Sequence, residues 1–142
     1  MRNLADPNTG MFDKTKEFSQ SNRGSPDHFS QYLRRSDPLC ESTWDYLNGC
    51  VHFNSGIIGK AFHLAAAGGQ HHGVQVREIG ARKLAVIVYG GLALMYVTSG
   101  FLDAGEKFHM ACLRLQEENK VGIGQEDCVA LRKAFHTVGL GD

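Results

Sequence analysis

The sequence lacks an excess of either charge, since Lys plus Arg and Asp plus Glu number 15 each among its 142 residues. A balanced charge removes the electrostatic basis for binding nucleic acid or an anionic membrane surface. Long apolar runs are also missing, because Gly68 and Gly69 interrupt the only region that approaches the length of a membrane span. We therefore expect no nucleic-acid partner and no membrane partner.

Sequence motifs for binding a metal are absent as well. Cys40, Cys50, Cys112 and Cys128 form no C-x-x-C pair, which argues against a zinc knuckle or a redox motif. None of the seven histidines precedes a glutamate, so the His-Glu-x-x-His motif, which holds zinc on one helical face, does not occur. We predict no metal ligands in this chain. The four cysteines allow three disulfide connectivities; a bridge from Cys112 to Cys128 and buried free thiols both fit the sequence.

The length suits one domain, and its apolar pattern changes along the chain. Residues 1–47 contain few periodic apolar positions and many turn residues, which predicts a loop-rich segment lying on a larger body. Residues 48–142 show helical spacing and predict a mainly α fold, an antiparallel helical bundle with one short extended piece at 74–76. The predicted helices run from Ser55 to the Gly68-Gly69 pair that ends the first, over about 80–97 and over Phe101–Leu115. The last has its apolar positions from Cys128 to Val138, with Glu126 and Asp127 in its first turn.

His52 is the candidate functional residue that its sequence neighbours suggest. It follows Gly49, which allows a tight turn, and it precedes the apolar helix that we predict from Ser55. A lone histidine before a helix is more often structural than catalytic. A cysteine hydrolase with Cys50 as nucleophile and His52 as base is one alternative, although side chains two residues apart rarely meet in the required geometry.

Several motifs together resemble the thermolysin-like (M4) zinc metallopeptidases, in their C-terminal, mainly helical half. The resemblance spans nearly the whole chain, and its most specific part is the Gly-x-Val-His-x-Asn-Ser-Gly-Ile segment at 49–57. The other matching elements are Arg-x-x-x-Asp-Pro at 2–7, Pro-Asp-His-Phe at 26–29, Lys-Ala-Phe-His-Leu at 60–64 and Ala-Phe-x-x-Val-Gly-Leu at 134–140.

The resemblance implies peptide-bond hydrolysis with the work divided between two lobes. In the family, zinc is bound by two histidines and a glutamate, and a second glutamate polarises the attacking water; all of them precede the Arg-x-x-x-Asp-Pro element. The zinc cofactor would therefore be held by a partner lobe N-terminal to these residues. By the same resemblance, His52 would hydrogen-bond the developing oxyanion, and Arg2 would hold the carbonyl oxygen on the leaving-group side of a peptide or protein substrate.

One departure from the family pattern bears directly on His52. The family usually places an aspartate a few residues before this histidine, where it holds the second ring nitrogen, but here Leu47 stands five residues before it. The nearest acid is Asp45. Either the loop changes its register, so that Asp45 orients His52, or His52 is less well oriented.

Two functional hypotheses remain, and both share one fold. In the first, the chain is the C-terminal lobe of a secreted zinc metalloendopeptidase, separated from its catalytic half by truncation or a split gene and inactive alone. In the second, it is a non-catalytic remnant or a peptide- or partner-binding helical module. An extracellular location follows from the resemblance only. The first residues lack the apolar core of a signal peptide, so we expect any export signal upstream of Met1.

Overall fold

A computed structural model describes residues 4–7 and 24–141. The chain divides into two compact units, Met1–Lys60 and Ala61–Asp142. The predicted mainly α fold is confirmed, since the described residues form five α-helices and one small hairpin. The helices are α1 Pro38–Glu41, α2 Val51–Ala67, α3 Ala81–Leu92, α4 Phe101–Glu117 and α5 Gln125–Thr137, with 3₁₀ turns at Phe29–Gln31 and Tyr46–Asn48. None of these helices combines the length and apolar character needed to cross a bilayer.

The first unit has a small core around the start of α2. Leu33, Cys40, Cys50 and Phe53 are all buried and in contact. Asn54 is buried as well, and its side chain forms two hydrogen bonds of 2.8 Å, accepting from the Leu33 N–H and donating to the Leu33 carbonyl. The extended segment at residue 33 has no neighbouring strand among the described residues, so the Asn54 amide supplies the hydrogen bonds that its buried backbone N–H and carbonyl need. Asn54 therefore fixes the segment at residue 33 against the helix.

The onset of α2 differs from the sequence prediction. We predicted helical spacing from Ser55, but α2 begins at Val51, so His52 lies in the first turn of the helix rather than before it. The cause is the backbone immediately upstream, where Gly49 and Cys50 have φ angles of 67° and 60°. Two consecutive left-handed residues turn the chain sharply into the helix, and apolar periodicity carries no signal for such a turn.

The second unit packs α3 against α4 and α4 against α5. Phe62, Phe108 and Phe135 form an aromatic cluster at its centre, with ring centroids 5.3–5.8 Å apart. A disulfide between Cys112 and Cys128 links α4 to α5, and Cys40 is bonded to Cys50 in the first unit. Of the alternatives that the sequence left open, buried free thiols are therefore wrong.

The bounds of the later elements follow the prediction with two exceptions. The predicted helix over 80–97 was too long, because α3 ends at Leu92. After that residue the backbone forms turns with hydrogen bonds between residues three apart. The Leu94 N–H donates to the Gly91 carbonyl, and the Met95 N–H donates to the Leu92 carbonyl. The predicted extended piece at 74–76 is β2, Val74–Val76, but its antiparallel partner β1, Gly69–His71, was missed. Beyond α5, Gly139 has the positive φ of 80° expected of a residue that ends a helix.

Asp127 is a buried charge at the N-terminus of α5. Its carboxylate accepts hydrogen bonds from Arg77 at 2.7 Å, from Lys83 at 2.8 Å and from the Gly124 N–H at 3.0 Å. Burial raises the pKa of Asp127, but the hydrogen bonds from Lys83, Gly124 and Arg77 and the Lys83 charge outweigh it, so the pKa lies below its ordinary value. The ionised carboxylate thus ties α5 to the exit of the hairpin and to α3.

The adjacent glycines of α3 give a matched pair of substitutions. A Cβ at Gly91 would lie 2.1 Å from Phe108 Cδ1 and 3.0 Å from its Cα, whereas a Cβ at Gly90 would meet nothing nearer than Ala111 Cβ at 3.5 Å. We expect Gly91→Ala to destabilise the protein, because overpacking of about 1–3 kcal/mol exceeds the gain in helix propensity. Gly90→Ala should stabilise it by up to ~1 kcal/mol. Chemical denaturation measures both, and equal effects would contradict the close α3–α4 packing.

Asp127 predicts an acid-sensitive contribution to stability. Its pKa is lower in the folded state, so its stabilisation is present above the unfolded pKa of about 3.9 and is lost as the pH falls through the folded pKa. Asp127→Asn should lower the free energy of unfolding at pH 7 by about 1–2 kcal/mol, and the difference from the unmodified chain should shrink below pH ~4. Glu126→Gln, at the neighbouring exposed position, is the control. A deficit of Asp127→Asn that does not change with pH would contradict the assignment.

Candidate functional site

A disulfide-closed loop precedes the candidate histidine. Cys40, on α1, is bonded to Cys50, and Asp45 lies midway between them in sequence; all three side chains are fully buried. The main-chain carbonyl of Asp45 accepts hydrogen bonds from the N–H groups of Asn48 and Cys50, both at 3.0 Å. The hypothesis of a cysteine hydrolase is wrong for this structure, because the Cys50 sulfur is in a disulfide and offers no thiolate.

Asp45 and His52 form the central interaction of the site. Asp45 Oδ1 lies 2.6 Å from His52 Nδ1, and Asp45 Oδ2 accepts the backbone N–H of His52 at 2.8 Å. Asn48 Nδ2 donates a third hydrogen bond to Oδ1 at 3.2 Å. Of the two alternatives that the sequence left open, the structure has the changed loop register, in which the Asp45 carboxylate is hydrogen-bonded to His52. The catalytic role of His52 and the orienting role of Asp45 remain predictions.

Asp45 is ionised in spite of its burial. Burial raises the pKa of its carboxyl group, but hydrogen bonds from the His52 side chain, the His52 backbone and Asn48, together with the His52 charge, lower it further than burial raises it. The net pKa lies below its ordinary value. The backbone hydrogen bond also satisfies an N–H in the first turn of α2, where a negative charge is favoured by the helix dipole.

The Asn-Ser-Gly sequence after His52 has a physical reason at each position. Asn54 fixes the extended segment at residue 33, and Ser55 Oγ donates to the His52 carbonyl at 2.7 Å. Gly56 permits a close backbone approach, since a Cβ there would lie 2.5 Å from the carbonyl oxygen of Pro26. The motif therefore positions the first turns of α2 within the first unit, and with them the imidazole.

Trp44 is a residue of this site that the sequence analysis missed. Its ring centroid lies 5.2 Å from that of His52 and 5.8 Å from that of Phe53. The available signal was its being the only tryptophan of the chain, one residue before the acid nearest to His52. The geometry thus adds an aromatic ring to the pair of Asp45 and His52.

Arg2, the other residue predicted to contact substrate, lies outside the described residues. The described part of the same element, residues 4–7, contacts α2 and the segment at residue 25. Lys60 Nζ donates to the Ala5 carbonyl, and the Pro7 carbonyl accepts the Ser25 N–H at 3.1 Å. The role of Arg2 therefore stays a prediction.

The cysteines of this chain are not available as ligands for the zinc ion that the resemblance implies, because all four are in disulfides. The absence of metal ligands from the chain stays a prediction. The side chains that the structure brings together around the candidate histidine are those of Asp45, Asn48 and Trp44.

Comparison with known proteins identifies relatives over almost the whole chain. Residues 1–140 match the family described as thermolysin metallopeptidase, alpha-helical domain. The chain is 48% identical over 119 residues to Bacillolysin of Bacillus cereus, 36% over 121 residues to Neutral protease B of Bacillus subtilis (strain 168), and 34% over 119 residues to the thermostable neutral protease NprT of Geobacillus stearothermophilus. These alignments cover 82–84% of the chain but only 18–20% of each relative. The chain therefore spans about a fifth of their length.

The two disulfides allow a test of whether the loop positions the imidazole. They span 10 and 16 residues, so loop-closure entropy gives each about 3 kcal/mol of stabilisation. Replacing Cys40 and Cys50 by Ser should weaken the hydrogen bond between Asp45 and His52, because the loop carrying the carboxylate is released. Replacing Cys112 and Cys128 by Ser should cost similar stability and leave that hydrogen bond intact.

NMR of the imidazole measures this hydrogen bond directly. A downfield His52 Nδ1–H resonance should be present in the unmodified chain and lost after the first replacement alone. Asp45→Asn keeps the disulfide and should also abolish the resonance, which separates loss of the carboxylate contact from unfolding. An Nδ1–H resonance that survives loss of the Cys40–Cys50 bond would contradict a positioning role for the loop.

Proposed function

The chain belongs to the thermolysin metallopeptidase family, and on that premise we propose that it is the helical C-terminal lobe of a zinc metalloendopeptidase. In this proposal residues 1–47 form part of the active-site cleft and residues 48–142 form the helical lobe. Peptides or proteins are the substrates, and His52 stabilises the transition state of their hydrolysis. The observation that carries the proposal is the buried, ionised Asp45 against a partly exposed imidazole.

The exposure of the two partners supports a role for His52 at the surface. The Asp45 side chain is 0% exposed and that of His52 is 43% exposed. Nδ1 is held by the buried carboxylate, so Nε2 is the ring nitrogen that remains for a substrate. A fixed donor next to the site where negative charge develops lowers the barrier without reorganisation during the reaction.

The protonation state of His52 follows from its partner. A carboxylate can only accept, so the hydrogen bond to Asp45 requires a proton on Nδ1. Nε2 then donates only when the ring carries its second proton, as imidazolium. The active form in this proposal is therefore the cation, which adds an attractive charge to the hydrogen bond with the oxyanion.

The remaining parts of the site are proposed from the resemblance. Arg2 would hold the carbonyl oxygen on the leaving-group side of the scissile bond. Zinc would generate the nucleophile at neutral pH, held by an N-terminal lobe and not by the residues described for this chain. A hydrogen-bond donor cannot replace that function, so we propose that the 142-residue chain alone is inactive.

An extracellular location is part of the same proposal. The two disulfides are typical of proteins that fold in an oxidising compartment and support it. Our second candidate function is a non-catalytic remnant that binds a peptide or a partner protein. The solvent-exposed Trp44 beside His52 supports this second candidate, because an aromatic side chain can contact a peptide without a metal ion.

The first experiment asks whether the chain acts alone. We expect the purified 142-residue chain to bind no stoichiometric zinc and to leave casein intact. Elemental analysis and a casein assay with and without chelator measure the two properties. One tightly held zinc per chain together with chelator-sensitive cleavage would show that the active site is complete without a second lobe, contrary to the proposal.

The second experiment supplies the zinc-binding N-terminal lobe of a relative. Mixing the two should restore cleavage, and His52→Ala should reduce kcat by about 10²–10³, as for removal of one oxyanion donor. His136→Ala, an exposed histidine in the last turn of α5, is the matched control and should have full activity. Restored activity that is insensitive to His52→Ala would remove His52 from the mechanism. Failure of every mixture, with peptide binding retained, would favour the binding module.

A further inference from the structure

The second unit has a cavity of about 650 Å³ between α4, α5 and the residues that follow α5. Its walls include the buried side chains of Phe135 and Leu140 together with Leu102 and Met110, which are 58% and 52% exposed. Cavities that bind small ligands have volumes of roughly 300–1,000 Å³ and mostly apolar walls with a few polar groups. This cavity therefore has the size and the wall composition of a ligand site.

Gly105 allows the chain beyond α5 to close one side of this cavity. A Cβ at position 105 would lie 2.6 Å from the Leu140 carbonyl oxygen, so a larger residue would push the segment at 139–141 away from α4. The missing side chain also leaves space on this face of α4. Leu102 and His109, three residues before and four residues after Gly105, are the neighbours on either side of that space.

The charged groups of the cavity are separated by sign. Asp103 and Glu106 come from the N-terminal half of α4, whereas Arg132 comes from α5. Burial lowers the pKa of His109 and the Arg132 charge lowers it further, so the guanidinium group lies near the imidazole. At a rise of about 1.5 Å per residue, Glu106 and Asp103 precede His109 by about 4.5 and 9 Å along the helix axis. The acids therefore lie toward one end of the cavity and the cation toward the other.

The groups at the two ends are available to a ligand. Among the residues that the structure describes, the side chains of Arg132 and Glu106 form no ion pair and no hydrogen bond. Asp103 already accepts the Gly100 N–H at 2.7 Å, which leaves Glu106 as the acid for a ligand cation. An arginine side chain can bind a carboxylate with two parallel hydrogen bonds, and the neutral ring of His109 has one further N–H to donate.

We propose that this cavity binds a short apolar peptide with free termini, such as a dipeptide. The peptide carboxylate pairs with Arg132, and its ammonium group pairs with Glu106. Its aliphatic or aromatic side chains pack on Phe135 and Met110. An extended chain spans about 3.3–3.6 Å per residue, so a dipeptide of about 7 Å fits the separation of the two ends. The inference does not depend on the proposed function, since every residue of the cavity belongs to the second unit.

The presence of both signs favours a ligand with two charges over a ligand with one. An apolar carboxylate without an amine would cover Glu106 and leave its charge without a partner. An apolar amine without a carboxylate would do the same to Arg132. Covering a charge without pairing it is unfavourable, so either single-charge ligand should bind more weakly than the peptide.

Peptides with one blocked terminus test each end of the cavity separately. We would follow the His109 ring and the Met110 methyl group by NMR while the 142-residue chain is titrated with Leu-Leu, acetyl-Leu-Leu and Leu-Leu-amide. Leu-Leu should shift both resonances with a single Kd. Each block removes one charge pair, so each blocked peptide should bind about fivefold more weakly than Leu-Leu.

Two substitutions assign the termini to their partners. Arg132→Gln should weaken binding of Leu-Leu by about fivefold and leave Leu-Leu-amide unaffected, because that peptide has no carboxylate to lose. Glu106→Gln should weaken Leu-Leu by a similar factor and leave acetyl-Leu-Leu unaffected. Lys133→Gln and Glu117→Gln remove exposed charges of the same signs from the same two helices outside the cavity, and as matched controls they should leave every Kd unchanged.

Three results would overturn the inference. The first is equal affinity of the unmodified chain for the three peptides, and the second is an equal loss of affinity in Arg132→Gln and Lys133→Gln, which indicates general charge attraction. The third is a shift of the Trp44 indole resonance without a shift of the His109 ring, because the peptide would then bind in the first unit. None of these results changes the expected effect of His52→Ala on the activity of mixed lobes, so the two proposals fail separately.

Discussion

The first unit depends on one buried negative charge, the carboxylate of Asp45. An ionised group without water is strongly unfavourable unless hydrogen bonds replace its hydration, and Asp45 has three such donors from His52 and Asn48. Two of them come from His52, one from its backbone and one from its ring. The same carboxylate therefore sets both the start of α2 and the orientation of the imidazole, so neither can move without exposing an unsatisfied charge.

Asp127 of the second unit is also a buried carboxylate held by hydrogen bonds, but its partners differ from those of Asp45. It is also a buried carboxylate near the N-terminus of a helix and also accepts a backbone N–H, but its remaining partners are Arg77 and Lys83. Those partners lie just after β2 and within α3, so the Asp127 carboxylate links separate segments of the second unit. The Asp45 carboxylate instead accepts from the ring and the backbone of one residue, His52, and so fixes the orientation of a single side chain.

The sequence predicted α4 and α5 closely and the site less well, for reasons that can be named. The two helices bury continuous apolar faces, and their spacing records that burial directly. The contact of Asp45 with His52 depends on left-handed residues at Gly49 and Cys50 and on a disulfide, and none of these leaves a periodic signal. β1 was missed because Gly69 and Gln70 are exposed, so no alternation of apolar residues marks the strand. Motif resemblance identified His52 and left Asp45 as one of two alternatives for its orientation, and the coordinates show the hydrogen bond between them.

The changed register of the loop also explains why orientation and apolar exposure occur together. The family pattern places its acid near the position of Leu47, whereas here the 3₁₀ turn Tyr46–Asn48 follows Asp45 and separates the two side chains. Asp45 is fully buried on the ring, and Leu47 is 78% exposed. Because Asp45 provides the carboxylate that binds the imidazole, position 47 does not have to carry an acidic side chain. One local rearrangement thus pairs a carboxylate with the imidazole and places an exposed apolar side chain at position 47. The orientation of the ring and the exposure of Leu47 are, in this protein, two consequences of the same loop.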